Sequence, residues 1–180
     1  NEGARIFGEN RVQEAIAKFP DDRPSDMKVY LIGQLQSNKV RKAVRFFDRI
    51  ESVDSIQLLE KIEKEASIID KRIDILFEFN SSGESQKSGF RTESDVLEAL
   101  AVIPEMKHVR LLGLMTVGPL GGDPEKNRSA FSRCRTLFDE ISSRYHVSVL
   151  SMGMSGDWRD ALASGSNEVR IGTAIFGARE

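Results

Sequence analysis

The chain has 180 residues, of which 39% are hydrophobic, and this length suffices for one domain with a buried core. Its 26 Lys and Arg residues nearly balance 28 Asp and Glu residues, so the net charge of −2 provides no overall field that would attract nucleic acid or anionic lipid. The single cysteine, Cys134, excludes a disulfide within the chain, and the two histidines, His108 and His146, lack metal-binding spacing.

The apolar segments of the chain are short. The most apolar of them, residues 109–117, is far shorter than the ~20 residues that a membrane-spanning helix requires. A lone cysteine also fits a reducing compartment, since small secreted domains often carry paired cysteines. We therefore expect a soluble, cytoplasmic protein.

Apolar runs alternate with helical patterns along the chain. Residues 5–8 form the first run, and Asn10 followed by Gln13 resembles a capping box, which predicts a helix that Pro20 ends. The other predicted strands are residues 29–33, 49–53, 73–79, 109–117, 147–152 and 169–176.

The helix with the clearest pattern lies between the predicted strands at residues 109–117 and 147–152. Asp123 followed by Pro124 is an N-cap residue with proline at the first helical position. One apolar stripe follows at helical spacing, formed by Phe131, Cys134, Phe138, Ile141 and Tyr145.

Seven strands alternating with six helices predict a parallel sheet whose faces are covered by helices. A doubly wound sheet and a (β/α)8 barrel both satisfy this pattern. Residues 1–4 resemble the end of a helix, and one further strand upstream of that helix would bring the number of strands to the eight that close a barrel. We therefore predict a TIM-type (β/α)8 barrel that lacks its first strand, as one N-terminally incomplete domain over residues 1–180.

Two segments near the C-terminus predict a phosphate site. Residues 151–157 leave one strand and offer the Ser155 hydroxyl, Gly156 and free N–H groups, while Gly172 and Thr173 follow Arg170 on the next strand. The last two strands of a barrel commonly bind phosphate at their carboxyl ends. We call Ser155, Gly156, Gly172 and Thr173 the C-terminal cup.

Each of these residues also has a purely structural interpretation. Glycine, serine and threonine are common in turns without a ligand. Asn10 needs no role beyond a helix cap, and Asp157 is better explained as a partner of a helix N-terminus than as a catalytic base. Arg170 could pair with a surface carboxylate, but an arginine among apolar strand residues is costly to bury, which favours an orientation toward the barrel mouth.

Six blocks of the sequence, in order, resemble the pyridoxal phosphate homeostasis protein family, whose single barrel is related to the N-terminal barrel of alanine racemase. These blocks are residues 7–14, 31–39, 87–90, 113–116, 151–157 and 169–177. The resemblance covers nearly the whole chain.

The resemblance implies pyridoxal phosphate (PLP) as cofactor and assigns its binding site. The C-terminal cup would hold the phosphate, Asn10 would lie beside the ring, and Arg170 would face the pyridine nitrogen. The implied cofactor-binding residues are Asn10, Ser155, Gly156, Arg170, Gly172 and Thr173. No catalytic residue and no metal ligand is implied.

The chain departs from the family pattern at two places. The Schiff-base lysine of the family is expected upstream of Asn1 and is absent from this chain. Tyr30 stands where a histidine is more usual. Lys39 and Lys87 lie in polar loops at strand ends, residues 34–39 and 80–90, and are the lysines there that could reach a bound aldehyde.

The resemblance implies a carrier that buffers PLP without strong catalysis, because an isolated barrel lacks the second domain that a racemase uses. A PLP-dependent amino-acid racemase or lyase and a phosphosugar-binding barrel remain alternatives. The expected partners are PLP and PLP-dependent apoenzymes, with no nucleic acid and no membrane. We expect a monomer or a weak dimer.

Overall fold

A single parallel sheet, in sequence order, organises the chain. The computed structural model describes residues 3–20 and 22–177. Its strands are β1 (Ile6–Glu9), β2 (Lys28–Leu31), β3 (Arg49–Val53), β4 (Ile73–Glu78), β5 (Val109–Thr116), β6 (Val149–Met154) and β7 (Glu168–Arg170). Each strand pairs in parallel with the next one along the chain, and β1 and β7 are not paired with each other in the described residues.

A helix follows every strand. The helices are α1 (Val12–Lys18), α2 (Val40–Phe46), α3 (Ile56–Ile68), α4 (Glu93–Val102), α5 (Pro124–Tyr145), α6 (Trp158–Ala163) and α7 (Thr173–Phe176), with 3-10 turns at Ser37–Lys39 and Ile103–Glu105. The longest, α5, begins where the sequence predicts, because the Asp123 side chain accepts hydrogen bonds from the N–H groups of Glu125 and Lys126. The apolar faces of the helices pack on the outside of the sheet in one core.

The sheet curves into a barrel. Four strand-to-strand steps separate β3 from β7, a distance of about 19 Å in a flat sheet. Nevertheless, Arg49 Nη1 on β3 lies 2.8 Å from Glu168 Oε2 on β7. The fold is therefore the predicted TIM-type barrel, with one strand position open between β7 and β1.

Two local predictions were wrong. The last strand ends at Arg170, and residues 173–176 form α7, because the N–H groups of Gly172 and Ala174 bond to the Ser155 hydroxyl instead of continuing the ladder. Asn10 does not cap α1, whose N-cap is Arg11 without a side-chain hydrogen bond. The predicted helix end at residues 1–4 lies partly outside the described residues, and Gly3 and Ala4 are not helical.

Strands β5 and β6 approach each other closely at Gly113. A Cβ atom added there would lie 1.7 Å from the carbonyl oxygen of Val149, its partner in the ladder. The same register places Met115 opposite Ser151 and Thr116 opposite Met152 at the carboxyl ends of the two strands.

We expect Gly113→Ala to lower the free energy of unfolding by about 3 kcal/mol, because a clash with backbone is not relieved by rotating a side chain. The matched control is Gly156→Ala, where an added Cβ meets no atom within 4 Å. Its expected change is within about 0.5 kcal/mol. Urea denaturation followed by circular dichroism measures both. A Gly113→Ala protein as stable as the parent would contradict this packing.

Candidate functional site

The two halves of the C-terminal cup meet at the carboxyl ends of β6 and β7. Ser155 Oγ accepts hydrogen bonds from the N–H groups of Gly172 and Ala174, each at 3.2 Å. Thr173 lies between these two residues and is exposed. The structure thus joins the two segments that the sequence analysis singled out, while their role toward a ligand stays a prediction.

Asp157 folds the turn that presents Ser155. Its carboxylate Oδ1 accepts a 2.6 Å hydrogen bond from the N–H of Met154, and its own N–H donates to the carbonyl of Met154. A Cβ atom on Gly118 would lie 2.4 Å from Asp157 Oδ2, so the carboxylate also packs against the loop after β5. Asp157 is the N-cap residue of α6, as its expected position at a helix N-terminus requires, but its side chain makes no cap hydrogen bond and folds the turn instead.

Open space lies next to both glycines of the cup. A Cβ atom at Gly156 or at Gly172 would meet nothing within 4 Å. Neither residue has a positive φ, and Gly172 has φ −116°. The packing of the chain therefore does not require glycine at either position, although Gly172, with ψ −82°, lies outside the main α and β regions. The missing side chains leave room for a group that approaches the backbone from outside.

Arg170 extends from β7 toward the mouth of the barrel. Nη1 donates to Ser151 Oγ and Nη2 donates to the carbonyl oxygen of Thr116, both at 2.7 Å. Burial lowers the pKa of Arg170, and the carboxylates of Glu51 and Glu168 oppose this effect. The orientation agrees with the one expected from the sequence.

Asn10 lies directly after β1, at the same end of the sheet. Its backbone packs against the segment just after β2, since a Cβ atom on Gly33 would lie 2.3 Å from the Asn10 carbonyl oxygen. The side chain is exposed, and no hydrogen bond joins Asn10 to the C-terminal cup in the described part of the chain. A role beside a ligand stays a prediction.

A buried ionic network inside the barrel was missed by the sequence analysis. Arg49 Nη1 lies 3.2 Å from Glu51 Oε1 and 2.8 and 3.0 Å from the two carboxylate oxygens of Glu168. Tyr30 stacks on the Arg49 guanidinium at 4.1 Å and accepts a hydrogen bond through its hydroxyl. Ser151 Oγ donates to Glu51 Oε2 at 2.9 Å.

The pKa values of the two carboxyl groups in this network shift in opposite directions. Burial and the negative charge of Glu168 raise the pKa of Glu51 to about 7. Burial also opposes ionisation of Glu168, but hydrogen bonds from Glu51 and Arg49 lower its pKa overall. The charged residues of the predicted buried strand at 49–53 were the available signal, because ionisable side chains are rarely buried without partners.

A cavity of about 890 Å³ lies at the barrel mouth beside the ends of β2, β3 and β4. Its lining includes Gln34, Asp54, Glu78 and Lys87. Burial raises the pKa values of Asp54 and Glu78. The loop at residues 80–90 thus forms part of the rim, as the sequence suggested.

Lys87 is held within this rim. Its Nζ lies 2.6 Å from Glu84 Oε2 and donates to the carbonyl oxygen of Gly118 at 2.5 Å. The side chain is only 14% exposed. Lys87 therefore fastens its loop to the loop after β5, and these contacts would have to break before it could reach a bound aldehyde.

The described residues contain no group of three or more His, Cys, Asp or Glu side chains placed to hold a metal ion. Within the same residues, no helix combines the length and the apolar character that crossing a membrane requires.

Comparison with known proteins places the chain in a family. The family model for the N-terminal domain of alanine racemase matches residues 1–180. A pyridoxal phosphate homeostasis protein of Aquifex aeolicus is 38% identical over all of this chain and 79% of its own length. The protein of the same name from Escherichia coli K12 is 34% identical over 99% of this chain and 77% of its own length.

Solved structures agree in fold. PipY of Synechococcus elongatus, solved with PLP bound, has a TM-score of 0.87 and 38% identity, covering 97% of this chain and 82% of that chain. Alanine racemase of Clostridium difficile has a TM-score of 0.79 at 15% identity over 99% of this chain and 46% of that chain, which supports the barrel fold alone. The chain has the barrel fold, matches the family model along its whole length and is 34–38% identical to these relatives. It therefore belongs to the pyridoxal phosphate homeostasis proteins, a family built on the alanine racemase N-terminal domain.

Proposed function

We propose that the chain binds pyridoxal phosphate and takes part in homeostasis of this cofactor as a carrier without strong catalysis. The observation that carries the proposal is the open space beside Gly156 and Gly172, next to the Ser155 hydroxyl. The names of the relatives and the PLP bound to PipY identify the ligand class.

The residues of the cup fit a phosphate group. The hydroxyl hydrogens of Ser155 and Thr173 supply donors, the N–H groups of Gly172 and Ala174 hold the Ser155 hydroxyl in place, and the missing side chains of the two glycines leave room for a bulky anion. Because the net charge of the chain is −2, attraction of a dianion must come from such local donors. Asn10 and Arg170 complete the proposed cofactor-binding set.

Arg170 suits a carrier better than an enzyme of carbanion chemistry. When bound, pyridoxal phosphate supplies an electrophilic aldehyde and a ring that withdraws electrons most strongly when its nitrogen is protonated. An arginine remains protonated at neutral pH and cannot accept the proton of a pyridinium. Arg170 facing the ring nitrogen would therefore keep that nitrogen unprotonated and the ring a weaker electron sink.

The recipients and location form the finer part of the proposal. We propose PLP-dependent apoenzymes as the proteins that receive the cofactor, since a carrier needs acceptors that use it. We also propose a cytoplasmic location, which rests on the single free thiol of the chain. Cys134 is buried, and burial raises its pKa to about 12, so the thiol is protonated and unreactive at neutral pH.

We expect Gly172→Ala to weaken binding of pyridoxal phosphate at least about tenfold, equivalent to ~1.4 kcal/mol, because the added methyl group occupies the space proposed for the phosphate. The unfolding free energy should fall by no more than about 1–3 kcal/mol, the cost of a sparsely populated backbone conformation, since an added Cβ atom meets no atom within 4 Å. Isothermal titration calorimetry with pyridoxal phosphate measures the first quantity and urea denaturation the second. Unchanged affinity would show that the cup is not the phosphate site.

We expect Ser155→Ala to weaken cofactor retention about tenfold, because hydrogen bonds to charged groups contribute ~1.5–3 kcal/mol. The matched control is Ser164→Ala, at the opposite end of α6, which should retain the cofactor like the parent. Gel filtration after loading, with absorbance at the cofactor band, measures retention. Equal retention by the two variants would contradict the placement of the cup.

The carrier proposal is separated from its alternatives by two measurements. Turnover of free alanine or serine above ~1 per second would indicate an enzyme instead of a carrier. Equal affinity for ribose 5-phosphate and pyridoxal phosphate would indicate a phosphosugar-binding barrel. We expect neither result.

A further inference from the structure

We propose that Ser151 and Glu51 are positioning residues for Arg170 and that they fix its guanidinium at the barrel mouth in the orientation that meets a bound pyridine ring. The inference rests on the proposed function, in which Arg170 faces the ring nitrogen. It assigns a role to Ser151 and Glu51 in the barrel interior, which are not part of the C-terminal cup.

The first step is the anchoring of Arg170. A guanidinium has five N–H donors, and two of the Arg170 donors are used, by Ser151 Oγ and by the Thr116 carbonyl oxygen. Thr116 is the last residue of β5, and Ser151 lies within β6, so the two bonds hold the group against neighbouring strands. Only one of the two acceptors is a side chain, and Ser151 is therefore the replaceable anchor.

The second step is the direction of the Ser151 hydroxyl. It accepts a hydrogen bond from the Arg170 cation, so its single hydrogen is directed to another acceptor, Glu51 Oε2 at 2.9 Å. Ser151 is completely buried and Glu51 is 1% exposed. Because both side chains are buried, water cannot substitute for either partner. The hydrogen bonds therefore run in one direction, from Arg170 to Ser151 and from Ser151 to Glu51.

The third step is the anchoring of Glu51 itself. Arg49 contacts its other oxygen, Oε1, at 3.2 Å and also holds Glu168 through both carboxylate oxygens. The charged groups facing Glu51 are Arg49, Glu168 and Arg170, from β3 and β7. Burial and Glu168 raise the pKa of Glu51 to about 7.

A pH dependence follows from this arrangement. Above pH 7, an ionised Glu51 is a strong acceptor for Ser151 and a counter-charge for Arg170. As the pH falls through about 7, Glu51 gains a proton and the network gains one positive charge. The contact between Arg170 and a bound ring should weaken over the same interval.

The test uses pyridoxine 5′-phosphate, which has the ring and phosphate of the cofactor but no aldehyde. Ser151→Ala should raise its Kd about tenfold at pH 8 while leaving the Kd of inorganic phosphate within twofold, because only the ring contact is disturbed. Ultraviolet absorption of the bound ring reports the protonation of its nitrogen directly. The matched control is Ser52→Ala, another fully buried strand serine, which donates to the carbonyl oxygen of Gly33 at 2.7 Å and does not contact the network.

Glu51→Gln provides the second measurement and keeps the inference testable should Ser151→Ala fail to fold. The amide retains an acceptor for Ser151 but does not titrate. The parent should show a change in pyridoxine 5′-phosphate affinity centred near pH 7, and Glu51→Gln should not.

The outcomes separate the inference from the proposed function. A parent that binds neither pyridoxal phosphate nor pyridoxine 5′-phosphate overturns both. A parent that binds, together with an unchanged Ser151→Ala or with Glu51→Gln of unchanged pH profile, overturns the inference alone. Equal losses for inorganic phosphate and pyridoxine 5′-phosphate in Ser151→Ala would indicate general damage to the site and likewise overturn it.

Discussion

The burial of charge inside the barrel is the constraint on which the site depends. A guanidinium and a carboxylate lose several kcal/mol of hydration when they leave water, and only close partners offset that cost. Arg49 meets Glu168 from the opposite side of the barrel, and Ser151 links Glu51 to Arg170. These contacts exist only when β3, β6 and β7 are curved toward one another. The position of the Arg170 side chain at the barrel mouth therefore depends on closure of the barrel.

The C-terminal cup is the second element of the site, and it depends on the absence of side chains at two glycines. Gly156 and Gly172 leave space at the carboxyl ends of β6 and β7, and Ser155 ties the two segments together through backbone N–H groups. A chain without excess positive charge can bind a dianion in this way, because oriented donors act at short range where screening by salt is weak. The interior network and the cup meet at Arg170, two residues before Gly172.

The mouth of the barrel also bears on how the cofactor is handled. The cavity beside the ends of β2, β3 and β4 is lined by the carboxyl groups of Asp54 and Glu78 and extends to Val117, directly after β5. Lys87 at its edge is occupied by Glu84 and by backbone carbonyls. This arrangement and a permanently charged Arg170 agree with the proposed role of a carrier.

The sequence by itself determined the alternation of strands and helices, because hydrophobic periodicity and turn residues act locally. The same pattern also fits a doubly wound sheet, and closure into a barrel is seen only in the tertiary contact between Arg49 and Glu168. The start of α5 was also predictable, because Asp123 and Pro124 act within one turn. The sequence did not determine that residues 173–176 are helical, since that depends on the distant Ser155 hydroxyl. The interior network was likewise decided only by the tertiary structure, because Arg49 and Glu168 are 119 positions apart and become partners only when the sheet closes.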